Sequence, residues 1–225
     1  MTEKYDVIIV GAGAAGMMSA IEAGKRGRKV LLVDHAKKIG EKIRISGGGR
    51  CNFTNIHTNP NKFISNNPKF VISALKQYTQ NDFISLINKH KIKFHEKKLG
   101  QLFCDESAQQ IIDMLVLECE TANVTLKKET IIANINKRDE KYSVLVDSDE
   151  YLSESLIIAT GGLSVPKIGA SKFGYDIAQK FGLKVIKTLP ALVPLTFNEK
   201  ILAICKELTG LSLEAVVSFK KTFFE

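Results

Sequence analysis

The sequence predicts an α/β fold with a parallel sheet, and three features near the N-terminus carry this prediction. Residues 5–10 form an almost continuous apolar run that ends at Gly11, which is typical of a strand buried on both faces of a parallel sheet. Apolar residues at helical spacing follow over residues 14–26. A second apolar run, residues 30–33, ends at Asp34. Together these segments predict a βαβ unit.

Length and composition limit the classes of protein to which the chain can belong. It has 225 residues with 44% hydrophobic content, enough for one large domain or for one domain and part of another. No apolar run is long enough to cross a membrane, and the N-terminus is acidic where a secretion signal would be basic and then apolar. We therefore expect a globular, cytoplasmic protein that does not associate with membranes. The sequence does not indicate an oligomeric state.

Cysteine spacing and net charge further limit the classes of protein to which the chain can belong. Cys51, Cys104, Cys119 and Cys205 form no C-x-x-C pair, and no histidine stands at zinc-ligand spacing, so neither a metal site nor a disulfide framework is expected. Lysine and arginine exceed aspartate and glutamate by 32 − 24 = 8, which favours anionic partners such as phosphates, acidic metabolites or nucleic acid. The alternative is that the excess only maintains solubility and reflects AT-rich coding.

The middle of the chain predicts a long loop followed by three helices. Gly, Asn, Ser, Thr and Pro are dense over residues 40–68, and a loop of this length is expected to be functional. Two helices are expected near residues 68–79 and 82–90. A third is expected behind Ser107, which forms a capping-box pattern with Gln110.

The second half of the chain predicts additional strands. Alternating residues over 142–146, beside the run 130–135, indicate a small antiparallel β-meander. Residues 156–159 predict another buried strand, and residues 171–182 predict a helix. After residue 190 the pattern indicates short strands and one short helix.

The turn between the first strand and the first helix, G-A-G-A-A-G, matches the dinucleotide-binding fingerprint. Gly11 permits the tight turn, Gly13 lets the backbone approach a pyrophosphate, and Gly16 permits close packing of the helix on the strand. The helix N-terminus adds free N–H groups and its dipole. Asp34 follows Gly11 by 23 residues, where a carboxylate can accept a hydrogen bond from a ribose hydroxyl. A plain structural turn is the alternative.

The choice between FAD and NAD(P) depends on the remainder of the chain, because the two cofactors share the ADP half. The fingerprint occurs once, and a later buried strand ends in A-T-G-G at residues 159–162. This order resembles FAD domains of the glutathione-reductase and fumarate-reductase type, in which such a turn passes close to the cofactor and only small side chains fit. A strand that simply ends in a glycine turn is the alternative.

The most distinctive feature of the sequence is the loop I-S-G-G-G-R-C-N-F-T-N over residues 45–55. Its three glycines expose backbone N–H groups, and Ser46, Arg50 and Asn52 add donors suited to pyrophosphate, ribityl or flavin oxygens. The loop therefore predicts a binding segment for a polar ligand. A mobile surface loop is the alternative.

Together with G-A-G-A-A-G, A-T-G-G and the string P-A-L-V-P-L at residues 190–195, this loop resembles the BaiN/YhiN-like family of FAD-dependent oxidoreductases. The resemblance covers essentially the whole chain. The family's G-R-x-F-P segment corresponds here to G-Q-L-F-C at residues 100–104, which departs from the pattern at the arginine and the proline. No role is carried over for those two positions.

The resemblance implies a fold and a division into domains. The expected fold is a Rossmann-like FAD-binding domain with a parallel sheet and a β-meander over residues 1–190, followed by the start of an inserted mainly-β domain over residues 191–225. Family members continue beyond this length, complete the inserted domain and return to the FAD domain with a glycine-rich segment near the flavin. We therefore expect that this chain lacks the family's C-terminal part.

The resemblance also implies which residues hold the cofactor. His35 is expected near the adenine, and no residue is assigned as catalytic, with Arg50 and Cys51 as candidates. A cation at Arg50 would lower the pKa of Cys51 and favour the thiolate, and Cys51 could contact the flavin or act as a proton donor. The alternative is that Cys51 only packs in the protein. The expected cofactor-binding residues are Gly11, Gly13, Ala14, Ala15, Gly16, Asp34, His35, Lys42, Ser46, Gly47, Gly48, Arg50, Cys51, Asn52, Thr160, Gly161 and Gly162.

The activity implied by the resemblance is reduction of a carbon–carbon double bond by FAD, with NAD(P)H as a transient reductant. Substrates proposed within the family include steroid-like acids and a uridine of large-subunit ribosomal RNA, which would become dihydrouridine. The positive net charge favours RNA. The alternatives are a non-catalytic flavin or nucleotide-binding module and an incomplete fragment without activity. The basic residues that cluster in the sequence are Lys37, Lys38, Lys42, Arg44, Lys89, Lys91, Lys93, Lys97 and Lys98.

Overall fold

A computed structural model describes residues 2–165, 168–190, 196–209, 211, 216–220 and 222–224. The chain divides into two compact units, Met1–Val185 and Ile186–Glu225. The interpretation of the second unit as the start of an inserted domain stays a prediction. Most of the P-A-L-V-P-L string lies outside the described residues. Within the described part of the chain, no helix combines the length and apolar character needed to span a membrane.

The first unit begins with the predicted βαβ arrangement. Strand β1 (Glu3–Val10) and strand β2 (Val30–Val33) are parallel neighbours, and helix α1 (Ala14–Lys25) connects them. All four residues of β2 are buried, as expected for a strand inside a parallel sheet. The predicted α/β fold with a parallel sheet is therefore confirmed.

The remaining elements of the first unit follow in chain order. They are α2 (Glu41–Ile45), β3 (Asn52–Asn55), α3 (Ile72–Gln77), α4 (Gln80–Lys89), β4 (Phe94–Glu96), β5 (Gln101–Cys104), α5 (Gln109–Thr121), β6 (Thr125–Lys127), β7 (Ile132–Arg138), β8 (Lys141–Val146), β9 (Asp149–Ile158) and α6 (Phe173–Lys180). The main sheet has the strand order β6-β2-β1-β9-β8-β7, and a second sheet has the order β3-β5-β4.

The predicted meander is present and is continuous with the parallel sheet. Strand β9 pairs in parallel with β1 along its length and antiparallel with β8 through Asp149–Ser153. The strand expected at residues 156–159 is present as the end of the ten-residue β9, and Ala159 lies just beyond it. Residues 156–158 are half-buried rather than buried. Strand β6, which pairs in parallel with β2 on the side away from β1, was not predicted.

Alternate residues of β1 face two different cores. Val7 and Ile9 pack in a cluster with residues of α1 and α5, while Ile8 and Val10 pack in a cluster with residues of β7 and β8. Helix α1 turns Met17 and Ile21 inward at helical spacing. The meander therefore covers the face of the parallel sheet opposite to α1 and α5.

The segment 40–68 is not the single long loop that its composition predicts. It contains α2, the 3-10 turn Ser46–Gly49, strand β3 and a second 3-10 turn at Pro60–Lys62. Strand β3 pairs antiparallel with β5, which lies about 45 residues later in the chain. The local sequence N-F-T-N is a weak strand former, so this pairing decides its conformation.

The predicted capping box at the start of α5 is wrong. Ser107 Oγ accepts a hydrogen bond from the backbone N–H of Gln109 at 3.1 Å, and Gln110 donates through Nε2 to Glu106 at 3.1 Å. A capping box is instead present at α4. There, the N–H of Thr79 donates to Asp82 Oδ2 at 2.7 Å, and the N–H of Asp82 donates to Thr79 Oγ1 at 3.3 Å.

The described part of the second unit contains one helix and one hairpin. Helix α7 (Glu199–Glu207) begins after Asn198, whose side chain accepts from the N–H of Ile201 at 3.1 Å. Strands β10 (Val217–Phe219) and β11 (Thr222–Phe224) form an antiparallel pair. The expectation of one short helix and short strands after residue 190 is confirmed.

A buried carboxylate joins three helices of the first unit. Glu118 in α5 is 3% exposed and receives hydrogen bonds from Lys89 at 2.6 Å and from His90 at 2.8 Å, and Lys25 of α1 lies 3.2 Å from its second oxygen. The hydrogen bond from Lys89 is the largest of the effects that hold the pKa of Glu118 at about 2, below the ordinary value of 4.5.

We expect Glu118→Gln to lower the free energy of unfolding at neutral pH by about 1–3 kcal/mol, because it removes charge-assisted hydrogen bonds. The loss stays in this range because Lys25 and Lys89 remain partly hydrated and are not left as buried, unpaired charges. The difference in unfolding free energy between wild type and variant should persist above pH 4.5 and disappear as the pH falls from 4.5 toward 2, where the wild-type carboxylate takes up its proton. Urea unfolding at pH 7 and at pH 3 measures this difference. Glu22→Gln, which removes an exposed ion pair with Arg26, is the control and should change stability little. A pH-independent difference for Glu118→Gln would contradict the lowered pKa of Glu118.

Candidate functional site

A cleft of about 680 Å³ opens where β1, β2 and β9 end. In open parallel sheets, ligands bind outside the carboxyl ends of the strands, and this cleft has that position. Its wall takes residues from the G-A-G-A-A-G turn, from the segment after β2, from α2 and from the A-T-G-G turn. Elements distant in the sequence therefore meet around one cavity.

Gly11 and Gly16 make the turn at the base of the cleft compact. Gly11 has φ +104°, and a Cβ there would lie 2.6 Å from the carbonyl oxygen of Ala159. A Cβ on Gly16 would lie 1.7 Å from the carbonyl oxygen of Gly11. The helix therefore packs directly on the turn, as expected for these two positions.

Gly13 has the opposite surroundings. A Cβ built on it would meet no atom within 4 Å, and Gly13 lines the cleft as the N-cap of α1. No side chain caps this helix end. The first N–H groups of α1 and the positive end of its dipole are therefore available to an anionic group in the cleft.

Asp34 connects the end of β2 to the glycine turn. Its Oδ2 accepts from the N–H of Ala12 at 2.6 Å, and its Oδ1 accepts from the N–H of Ala36 at 2.8 Å. Each carboxylate oxygen has a second lone pair, so these bonds leave acceptor capacity for a ribose hydroxyl. His35 follows with its side chain 67% exposed and its Nδ1 3.5 Å from Asp34 Oδ1.

Lys42 crosses from α2 to the A-T-G-G turn. Its Nζ donates to the carbonyl oxygen of Gly162 at 2.6 Å. Gly161 has φ +76°, and a Cβ there would lie 3.3 Å from the same Nζ. Thr160 lines the cleft, and Gly174 of α6 packs so closely that a Cβ on it would lie 2.7 Å from Thr160 Oγ1. The A-T-G-G turn is thus held between α2 and α6.

The three-glycine string forms a tight turn that packs on the second sheet. Gly47 and Gly48 have φ +58° and +66°, and a Cβ on Gly47 would lie 2.7 Å from the Phe103 ring. The N–H of Cys51 donates to the carbonyl oxygen of Ser46 at 3.0 Å and closes the turn. Ser46 Oγ donates to the carbonyl oxygen of Ile43 at 2.7 Å, which ties the turn to α2.

The structure brings most of the predicted cofactor-binding residues together and leaves others away from the cleft wall. Gly16 lies behind the turn, Gly162 accepts from Lys42, and Arg50 is exposed to solvent together with Gly47 and Gly48. The predicted residues that line the cleft are Gly11, Gly13, Ala14, Ala15, Asp34, His35, Lys42, Ser46, Cys51, Asn52, Thr160 and Gly161.

The thiolate hypothesis for Cys51 is wrong. Cys51 lines the cleft and is 5% exposed, and burial raises the pKa of its thiol, an effect only partly offset by a hydrogen bond with Ser46. The neighbouring Arg50 extends into solvent and does not offset the burial. The burial of Cys51 therefore favours the protonated thiol over the thiolate.

The sequence did not predict the apolar part of the cleft wall. The apolar residues of this wall come from segments distant in the sequence, and their spacing does not differ from that of ordinary core residues. Phe53 and Phe83 also belong to a pair of tilted rings with centroids 6.1 Å apart. The apolar wall residues that were not predicted include Met18, Ile39, Ile43, Phe53, Phe83, Ile111 and Leu115.

The cleft fits a dinucleotide such as FAD. An uncapped helix N-terminus and the open position at Gly13 suit a pyrophosphate, and Asp34 retains acceptor capacity at the distance along the chain that a ribose requires. The apolar wall suits the faces of aromatic rings. Lys42 adds a cation for phosphate or carbonyl oxygens.

Comparisons with known proteins match nearly the whole first unit and most of the second. A family model described as the HI0933-like protein Rossmann domain matches residues 5–220. The ribosomal RNA dihydrouridine synthase of Escherichia coli strain K12 is 50% identical over 216 residues, 96% of this chain and 54% of that protein. The protein of the same name from Haemophilus influenzae strain Rd is 46% identical over 224 residues, 97% of this chain and 55% of that protein. The chain spans about half the length of these relatives.

A solved structure resembles the chain in fold. Glycine oxidase from Geobacillus kaustophilus aligns with a TM-score of 0.51 and 14% sequence identity, over 81% of this chain and 60% of that chain. At this identity the likeness concerns the architecture alone.

Proposed function

The chain belongs to the HI0933-like family, and from that membership we propose that it binds FAD as part of an enzyme that reduces a uridine of large-subunit ribosomal RNA to dihydrouridine. NAD(P)H would be the transient reductant. The observation that carries the proposal is the identity of about half of all residues to two ribosomal RNA dihydrouridine synthases over nearly the whole chain. A reaction on ribosomal RNA keeps the cytoplasm as the proposed location.

The proposed cofactor site is the cleft at the carboxyl ends of β1, β2 and β9. The N–H groups at the start of α1, beside Gly13, would bind the pyrophosphate, and Asp34 would accept from the ribose. Lys42, Thr160 and Gly161 also line the cleft, so we propose that they contact the cofactor as well. Gly47, Gly48 and Arg50 lie outside the wall, so we propose contacts for Ser46, Cys51 and Asn52 from that loop.

When bound, FAD would supply a hydride, taken from NAD(P)H, to one carbon of a carbon–carbon double bond. The second carbon then needs a proton, which a protein group can supply. Cys51 lies on the wall of the cleft, and burial raises the pKa of its thiol and so favours the protonated form, so we propose it as the proton donor. The apolar wall would exclude water from the reacting carbons.

Absorbance spectroscopy tests the proposal. The purified chain, incubated with FAD and passed through a desalting column, should retain the yellow colour of oxidised flavin, and anaerobic NADPH or NADH should bleach it. Incubation with a transcript of large-subunit ribosomal RNA should then yield dihydrouridine, detected by mass spectrometry of nucleosides. Retained colour without bleaching would indicate a binding module, and a folded protein without colour would contradict FAD binding by this chain.

A further inference from the structure

The net positive charge of the chain is concentrated in one segment, because acidic residues are scarce there. Residues 56–104, here called the basic segment, contain eight lysines and no arginine, against two acidic residues, Asp82 and Glu96. The segment therefore carries 8 − 2 = 6 of the net charge of 32 − 24 = 8 within less than a quarter of the chain. The remaining residues are close to neutral.

The lysines of the basic segment face solvent, and neighbouring acids neutralise few of them. Lys89 is paired with Glu118 and Lys97 lies 5.1 Å from the centre of the Phe103 ring. Of the two acids, Asp82 is engaged by the capping box of α4. Within the described residues, no ion pair neutralises Lys62, Lys69, Lys76, Lys91 or Lys93. All five are exposed.

Large apolar side chains are exposed between these lysines. Phe70 is 79% exposed, Phe63 is 41% exposed and Tyr78 is 37% exposed, and Ile64 is fully exposed. A single exposed apolar side chain is ordinary on a protein surface, but several of them in one segment with exposed cations are typical of an interaction site. Flat rings alternating with cations are the composition that binds single-stranded nucleic acid, because bases stack on the rings while lysines neutralise phosphates.

The basic segment adjoins the cleft through shared elements. Helix α4 belongs to the segment and places Phe83 in the cleft wall. Strand β3 packs on α4 and pairs with β5, and it contributes Asn52 and Phe53 to the same wall. A chain lying on the basic segment would therefore pass beside the cleft, where one base could enter.

We propose that the basic segment is the surface on which single-stranded ribosomal RNA docks, with phosphates on its unpaired lysines and bases on Phe63, Phe70 and Tyr78. This inference rests on the proposed function, since it supplies the binding surface for that RNA. Stacking on rings requires bases that are free of a duplex, so the surface should prefer single strands to double-stranded RNA.

The test is fluorescence anisotropy of the FAD-loaded protein with a labelled oligouridine of about 12 nucleotides, within the site sizes of single-strand binders. The variant combines Lys62→Gln, Lys69→Gln, Lys76→Gln and Lys93→Gln. The matched control combines Lys4→Gln, Lys128→Gln, Lys141→Gln and Lys184→Gln, which removes the same charge from exposed lysines elsewhere. The variant should bind at least about tenfold more weakly at about 0.1 M salt, and the slope of log affinity against log salt should decrease by up to about 3. The control should stay near wild type.

Equal losses in the two variants would mean that only net charge matters and would overturn the docking surface. Wild-type affinity in the variant would overturn it as well, with RNA then binding elsewhere and the proposed function intact. A wild-type protein that binds FAD but neither this probe nor ribosomal RNA transcripts would overturn both the surface and the RNA substrate. Flavin content and circular dichroism identify unfolding of the fourfold variant, and the four single variants then give the same comparison.

Phe70→Leu separates RNA from a protein partner or a further part of the protein as the occupant of this surface. Leucine keeps an apolar side chain but removes the ring, so RNA affinity should fall about tenfold while the salt dependence stays unchanged. A surface that buries apolar area against protein would tolerate leucine. Unchanged RNA affinity in Phe70→Leu would overturn stacking at this position.

Discussion

Replacing Gly13 with valine is expected to abolish FAD binding and to leave the fold intact. The backbone at Gly13 has φ −85° and ψ −169°, extended values that valine adopts without strain, and its Cβ would meet no protein atom within 4 Å. The same open space is where a pyrophosphate would contact the start of α1. A blocked pyrophosphate loses several charge-assisted hydrogen bonds of about 1.5–3 kcal/mol each, so FAD affinity should fall by more than about 100-fold.

Titration of flavin fluorescence measures this affinity, and thermal unfolding without FAD measures the fold. The melting temperatures of Gly13→Val and wild type should agree closely. Asn88→Val, a valine on an exposed position of α4, is the control for introducing a β-branched residue and should keep wild-type FAD affinity. Wild-type flavin content in Gly13→Val would reject the placement of the cofactor.

Replacing Gly16 with alanine should produce the converse result, a large loss of stability. The added Cβ would lie 1.7 Å from the carbonyl oxygen of Gly11 and 3.4 Å from the Cβ of Ala159, both on the rigid base of the cleft. Helix α1 would have to move away from β1 and from the core that Met17 enters. Overpacking of this kind costs about 3 kcal/mol or more, which exceeds the gain of about 1 kcal/mol that alanine gives inside a helix.

Urea unfolding and calorimetry test this second result. For a unit of this size, a loss of about 3 kcal/mol lowers the melting temperature by about 10 °C. Gly13→Ala is the matched control, because it adds the same methyl group three residues earlier in open space, and its stability should stay near that of wild type. A Gly16→Ala protein as stable as Gly13→Ala would contradict the packing of α1 on the turn.

The βαβ unit could be predicted because its signals are local. The apolar runs of β1 and β2 and the glycines between them lie within about 30 residues, and together they predict one arrangement of strand, turn, helix and strand. The alternation that predicted β7 and β8 is equally local. The residues that line the polar side of the cleft were found for the same reason, since glycines and an acid at fixed spacing mark them.

Other elements depended on pairing between distant segments, which a single sequence does not display. Strand β6 has three residues and exists because it pairs with β2, and β3 exists because it pairs with β5. The thiolate hypothesis for Cys51 was wrong for a related reason. Its neighbour Arg50 is visible in the sequence, but the burial that raises the pKa of the thiol comes from residues elsewhere in the chain.

Strand β9 has a consequence for how the protein unfolds. Its first half is bonded on both sides, to β1 and to β8, and its last residue leads directly into the turn that closes the cleft. Because β9 belongs both to the meander and to the parallel sheet, opening of the meander disturbs the strand that positions this turn. Amide protons of β8 and of β9 should therefore exchange with solvent in a single cooperative opening. A substitution that destabilises the β7–β8 hairpin should in turn lower the affinity for the ligand.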